Sequence, residues 1–350
     1  MPQASATAGE PPSRVDPEPL LRRLEWTVIR RLDGLLQGDY RTLLRGFGID
    51  LADLREYQTH DDVRYIDWNV TARLQTPNVR EFLEDREVTA WFLLDLTGSV
   101  NFGSGAVRKR ELSAEFVGVL ARLLTRHGNR VGGLLYDGAQ PPAQEEQGNQ
   151  GNTFDAQACE VIPARVGRRQ VLHLLDRMLN RARREITAAS ATEQPRPPSG
   201  ETRIALLLAR AQTAIKRRSV VFVVSDFISV PGWEKAIALL ARRHEVLAVR
   251  LYDPMELELP DLGFVVMQDA ETGEQLFVDT RDRRFRQRFA EAATRREVRL
   301  RGALAEAGID CLELATDDNV GAALLRFIQL RKRRSQLAEG AITARPPISV

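Results

Sequence analysis

The chain has 350 residues, 43% hydrophobic and 28% charged, a composition that fits one large globular domain or two small ones. Fifty Lys plus Arg against 48 Asp plus Glu leave a formal net charge of +2, which excludes bulk charge as a reason to bind nucleic acid or an anionic membrane. Two cysteines, Cys159 and Cys311, are too few for a disulfide framework or a zinc site and read as free thiols of a reducing compartment.

The first 19 residues are rich in Pro, Ala and Ser and are expected to form a disordered tail. They contain no apolar signal-peptide core, and no run in the chain approaches the roughly 18 to 20 apolar residues of a membrane helix. The expected location is therefore cytoplasmic. Apolar residues at 21, 24, 28, 32, 35 and 36 then repeat with a helical period, and residues up to 87 mix short strands with turns. From residue 88 the pattern alternates. Strands are predicted at 88–94, 130–136, 219–224, 245–251 and 310–314, with a short edge strand at 157–162. Helices are predicted at 109–125, 168–184, 202–217, 233–242, 281–307 and 319–333. A hairpin at 263–278 and polar loops at 138–153 and 187–200 complete the reading, with a flexible tail from 336 to 350. Strand–helix alternation predicts an α/β fold with a doubly wound, mostly parallel sheet, in which the five main strands share one sheet over 88–335 and residues 20–87 form an appended segment.

Ligands of open α/β sheets sit at the carboxyl ends of the strands. After the apolar run Trp91-Phe92-Leu93-Leu94 comes Asp95-Leu96-Thr97-Gly98-Ser99, and after Val220–Val224 comes Ser225-Asp226-Phe227. Thr202 stands at the predicted start of a helix between them. Two carboxylates and three hydroxyls, with no His or Cys among them, suit a hard cation such as Mg²⁺ or Mn²⁺ that keeps several waters.

Asp95, Thr97, Ser99, Thr202 and Asp226 resemble the metal-ion-dependent adhesion site of von Willebrand factor A domains, with Thr where the first motif usually has its middle Ser. The segments LADLREYQTHDDVRYIDWNVTARL at 51–74, VREFLEDRE at 79–87 and SDF at 225–227 resemble the bacterial domain-of-unknown-function family 58, over roughly residues 40–335. The resemblance implies a binding module. In it the hydroxyls of Thr97 and Ser99 ligate the metal directly, Asp95 and Asp226 act mainly through water, and Thr202 is direct or water-mediated. An open metal position accepts a partner's carboxylate. It also implies work with a MoxR-type AAA+ ATPase in maturing or remodelling a client protein, as a soluble member of the family.

Asp61, Asp62, Arg64, Asp67, Trp68 and Arg73 are expected to dock the N-terminal segment on the main domain, with Trp68 buried as the anchor. His60, His127, His173 and His244 lack ligand spacing. The arginines of 281–301 are interrupted by Asp282, Glu291 and Glu297 and read as a solvated helix face. An alternative from another class is a haloacid-dehalogenase-like phosphotransferase with Asp95 as nucleophile. Position 97 would then need a second Asp, and it is Thr. A structural protein with a vestigial metal site is the third reading. No Walker-type glycine-rich loop is present, so ATP hydrolysis is expected of a partner.

Overall fold

The computed structural model describes residues 15–30, 32, 54–57, 66, 68, 71–72, 75–80, 88–138, 159–191, 202–268 and 274–343. Its strands are β1 (Leu54–Glu56), β2 (Asn78–Arg80), β3 (Thr89–Asp95), β4 (Arg130–Tyr136), β5 (Cys159–Arg165), β6 (Val220–Ser225), β7 (Glu245–Tyr252), β8 (Phe264–Gln268), β9 (Gln275–Asp279) and β10 (Asp310–Ala315). The helices, in chain order, are α1 (Pro17–Leu24), α2 (Lys109–Arg126), α3 (Arg168–Ala191), α4 (Ile204–Ala214), α5 (Trp233–Ala241), α6 (Arg283–Glu306) and α7 (Val320–Thr343).

All five main strands expected from the sequence lie in one six-stranded sheet of order β10-β7-β6-β3-β4-β5. Its first five strands are mutually parallel, and β5 closes one edge antiparallel to β4. The fold is thus α/β with a mostly parallel sheet wound on both faces. Strand β3 reads TAWFLLD and β6 reads VVFVVS, buried along nearly their whole length, as strands covered on both sides require. Side chains alternate between two cores. Phe92, Leu94, Phe222 and Val224 pack under α1, α2, α3 and α7. Trp91, Leu93, Val221 and Val223 pack under α4, α5 and α6. Phe92 stacks on Phe222 at 5.1 Å, and Phe116 of α2 meets Phe222 edge-on at 6.5 Å.

Strand β4 carries two adjacent glycines because both of its faces are crowded. A Cβ at Gly132 would lie 2.9 Å from the Trp91 ring and 3.0 Å from the Ala164 amide, and one at Gly133 would lie 2.6 Å from Leu174 Cδ1. Gly132→Val should therefore destabilise the protein by about 1–3 kcal/mol through overpacking. The check is the urea midpoint, and an unchanged midpoint would show that the site has room.

Three expectations are corrected at the ends of the chain. Helix α1 begins at Pro17, inside the stretch expected to be a disordered tail. Asp16 caps it by accepting the Glu18 N–H, and proline is preorganised for the first helical position. Composition hid this local signal. The helix is clasped to the domain by Arg168 on Glu18 at 2.7 Å, Arg122 on Glu25 at 2.6 Å, and Asn180 on both backbone groups of Val15 at 2.9 Å. Trp68, expected to be buried, is 70% exposed, so it does not anchor the N-terminal segment. Asp61, Asp62, Arg64, Asp67 and Arg73 lie outside the described residues. At the other end, α7 runs to Thr343, past the expected tail boundary at 336. Among the described residues no helix is long and apolar enough to cross a membrane.

Candidate functional site

From β3 the chain moves outwards through β4 to β5, then returns to place β6 on the other flank of β3. The carboxyl ends of β3 and β6 therefore border a topological switch point, where the connections diverge and leave a crevice. Asp95 is the last residue of β3, and Asp226 follows the last residue of β6.

Asp95 is fully buried, and both of its oxygens are occupied. Its Oδ1 accepts the Thr97 N–H at 3.1 Å and the Thr97 hydroxyl at 2.7 Å, and its Oδ2 accepts the Ser225 hydroxyl at 2.7 Å. Thr97 Oγ1 lies 3.3 Å from Ser99 Oγ. Because the Thr97 proton is committed to a carboxylate, the oxygen keeps its lone pairs for another partner. Burial, and then the nearby charge of Asp226, push the Asp95 carboxyl up to about 6, against the hydrogen bonds from Ser225 and Thr97.

Asp226 is held just as closely. Its Oδ1 accepts the Ile228 N–H at 3.0 Å, and its Oδ2 accepts the Lys109 ammonium at 2.7 Å. The next residue, Phe227, has φ 56°, a left-handed conformation that is costly for a bulky side chain. The Ser225 hydroxyl accepts the Phe227 N–H at 2.8 Å, and the Phe227 ring packs on Trp233 at 5.3 Å. Together these contacts hold the turn that presents Asp226.

Thr202 is buried two residues before α4. Its carbonyl accepts the Ser229 hydroxyl at 2.8 Å and the Val230 N–H at 3.0 Å, and the neighbouring Arg203 N–H donates to Tyr136 Oη at 3.2 Å. Tyr136 ends β4 and is paired in register with Asp95. Thr202 is thus fixed on the same edge of the sheet, between the end of β4 and the loop after Asp226. Direct hydrogen bonds join Asp95, Thr97, Ser99 and Ser225. Asp226 couples to Asp95 through charge, and Thr202 is placed by its backbone.

The donor set fits a hard divalent cation. All of it is oxygen, and the 3.3 Å between the Thr97 and Ser99 oxygens is near the ~3.0 Å edge of an octahedron with Mg²⁺–O bonds of about 2.1 Å. Among the described residues no three His, Cys, Asp or Glu side chains form a metal cluster, so hydroxyls would have to carry the direct coordination.

Sequence reasoning missed three residues here. Ser225 orients Asp95. Lys109 is fully buried and bridges Asp226 to Glu256, each at 2.7 Å. Glu256, in the turn after β7, is fixed because its second oxygen accepts the Asp253 N–H at 3.1 Å. One signal for Lys109 was available, since only four of the 50 basic residues are lysines, at 109, 216, 235 and 332. Beside Asp226 opens a cleft of about 150 Å³, lined in part by Phe227, Trp233, Glu256, Arg296 and Leu300.

Residues 53–299 match the family described as "Protein of unknown function DUF58". The chain belongs to that family. An uncharacterized protein of Mycobacterium tuberculosis is 34% identical over 315 residues, which cover 89% of each chain. Among solved structures, the conserved hypothetical protein BatB of Bacteroides thetaiotaomicron aligns with 70% of this chain and 99% of its own, at 13% identity and a TM-score of 0.38. The manganese-loaded TRAP protein of Plasmodium vivax aligns with 47% of this chain and 57% of its own, at 16% identity and a TM-score of 0.26. At those scores neither adds to the topology above. In this DUF58 chain the matched span runs from β1 to α6, and it includes both strand ends of the site.

Proposed function

We propose that this chain is a metal-dependent protein-binding adaptor. The observation that carries the reading is the buried cluster of Asp95, Thr97, Ser99 and Ser225 at the switch point, with Asp226 charge-coupled to it. Thr97 and Ser99 would hold Mg²⁺ or Mn²⁺ directly, with Thr202 completing the neutral side. Asp95 and Asp226, whose oxygens are already engaged, would act through water. When bound, the cation supplies a Lewis-acidic position for an incoming Asp or Glu. The chain's own residues orient the hydroxyls and keep the carboxylates out of direct contact with the cation, so it would stay attractive to an incoming carboxylate.

The same geometry disfavours the phosphotransferase reading. A nucleophilic Asp must reach phosphorus. Asp95 has no exposed surface and accepts three hydrogen bonds.

By the family resemblance, the partner we propose is a MoxR-type AAA+ ATPase or its client. One carboxylate contact is small, so the cleft beside Asp226 and the surface around it would supply most of the affinity. The test is binding of the purified chain to its cognate ATPase in Mg²⁺ and in EDTA. Binding should fall at least tenfold in EDTA and recover with Mg²⁺, and Thr202→Ala and Asp226→Ala should weaken it in Mg²⁺. Binding indifferent to EDTA and to both substitutions would place the adaptor surface elsewhere. Phosphoester turnover that is lost in Asp95→Asn would replace this reading with an enzymatic one.

A further inference from the structure

Lys109 breaks two local rules at once. It is a cation in the first turn of an 18-residue helix, the end where the helix dipole disfavours positive charge, and it has no exposed surface. Burial disfavours its ammonium, yet Asp226 and Glu256 outweigh that and raise its proton affinity. Both contacts are short, charge-assisted bonds of 2.7 Å. In a chain that otherwise uses Arg almost throughout, this position has the compact ammonium, which fits between two carboxylates where a planar guanidinium would need more room.

The consequence falls on Asp226. With Oδ1 on the Ile228 N–H and Oδ2 on Lys109, Asp226 has no oxygen left without a partner. Asp226 and Glu256 share the one Lys109 ammonium, and the charge of Asp226 in turn acts on Asp95. The cluster therefore keeps a net charge of two negatives rather than three.

We infer that Lys109 is a built-in counter-cation that keeps Asp226 from ligating the metal directly and so sets the metal affinity of the site. The inference rests on the metal reading above. Lys109 is a positioning residue. It weakens metal binding and leaves the bound cation more electrophilic towards a partner carboxylate. Glu256 is its second anchor. It holds the ammonium at the edge of the site, and its own negative charge favours a cation nearby.

The test is calorimetric titration of the full chain with Mn²⁺, with the Mn²⁺ electron paramagnetic resonance spectrum as a second readout. Lys109→Met should bind Mn²⁺ at least about tenfold more tightly than wild type, the least expected from deleting a unit charge a few ångströms from a divalent ion. Its spectrum should also change as a carboxylate oxygen enters the coordination shell. Glu256→Gln should shift affinity the other way, because one negative charge is gone and the ammonium is left to Asp226 alone. Weaker or equal binding in a folded Lys109→Met protein, or tighter binding with an unchanged spectrum, overturns the inference, since loss of the charge alone would raise affinity without bringing a carboxylate oxygen into the shell. If Lys109→Met does not fold, unchanged or tighter binding by Glu256→Gln overturns it instead. No Mn²⁺ binding by wild type would sink the metal reading itself, a result distinct from either.

Discussion

Asp95→Asn, melted in EDTA at pH 7, should be more stable than wild type by about 1–3 kcal/mol, while the stabilisation that wild type gains from Mg²⁺ disappears. The carboxyl is raised to about 6, by burial first and by Asp226 second, from an unfolded value near 4. A raised pKa means that the folded state holds this proton more tightly than the unfolded chain does. Stability from that source is fully present below pH about 4, declines as pH rises through about 6, and is absent at pH 7. Asparagine keeps the shape, an oxygen for Thr97, and an amide that can donate to Ser225 Oγ, but it removes the buried charge. The advantage of the variant should therefore shrink in acid and vanish below pH about 4. In Mg²⁺ at a hundred times its dissociation constant, wild type should gain about 2.7 kcal/mol, and the variant nothing. The measurement is thermal unfolding of both proteins across pH 4–8, with and without Mg²⁺. A variant that is less stable in EDTA at pH 7, or that keeps its metal-induced shift, would remove Asp95 from the role given to it here. A site residue whose replacement stabilises the empty fold is what a trade of stability for binding predicts.

The part of this site legible in the sequence is the part built from strand ends. Apolar runs of strand length at 91–94 and 220–224, each followed by a carboxylate, locate Asp95 and Asp226 on one edge once strand–helix alternation requires parallel strands. What stayed hidden is long-range or local in ways that periodicity does not register. Lys109 meets Glu256 across 147 positions, through a turn after β7 with no hydrophobic period. Ser225 sits in plain view beside Asp226, but only the paired strands reveal that its hydroxyl crosses to Asp95. Trp68 misled because a tryptophan among charges reads as an anchor, whereas it is 70% exposed. The start of α1 was missed because a Pro/Ala/Ser-rich composition outweighed the Asp16-Pro17 capping pair, which tertiary contacts with Arg168 and Asn180 then hold in place.

Asp253→Ala should lower stability by about 3 kcal/mol at pH 7 and weaken metal binding with it. Asp253 follows β7 at the same edge of the sheet as Asp95, and it is equally buried. It accepts four bonds from three segments. These come from the Ser104 N–H at 2.8 Å and Ser104 hydroxyl at 2.7 Å, the Met255 N–H at 2.9 Å, and the Thr316 hydroxyl at 2.8 Å. Burial alone would raise its pKa, but the donors from Ser104, Thr316 and Met255 together outweigh burial and hold the carboxyl below its usual range. The sign is opposite to that of Asp95. A depressed pKa contributes stability that is present above the unfolded value near 4 and is lost as pH falls through the folded one. Alanine leaves the Ser104 and Met255 amides and two hydroxyls without their acceptor, at about 1–3 kcal/mol for each that water does not reach. It also frees the loop that leads from Ser99 to Lys109, because Ser104 is that loop's tie to the end of β7. Denaturant melts should show the full loss at pH 7 and a smaller one at pH 3, and Asp253→Asn should fall between wild type and alanine. If Asp253→Ala costs less than about 1 kcal/mol at pH 7, or if its cost grows in acid, the four bonds do not hold that loop. Two buried carboxylates on one sheet edge thus divide the work. The one whose hydrogen bonds outweigh burial ties the loop down, and the one whose hydrogen bonds do not keeps a raised proton affinity at the strand end.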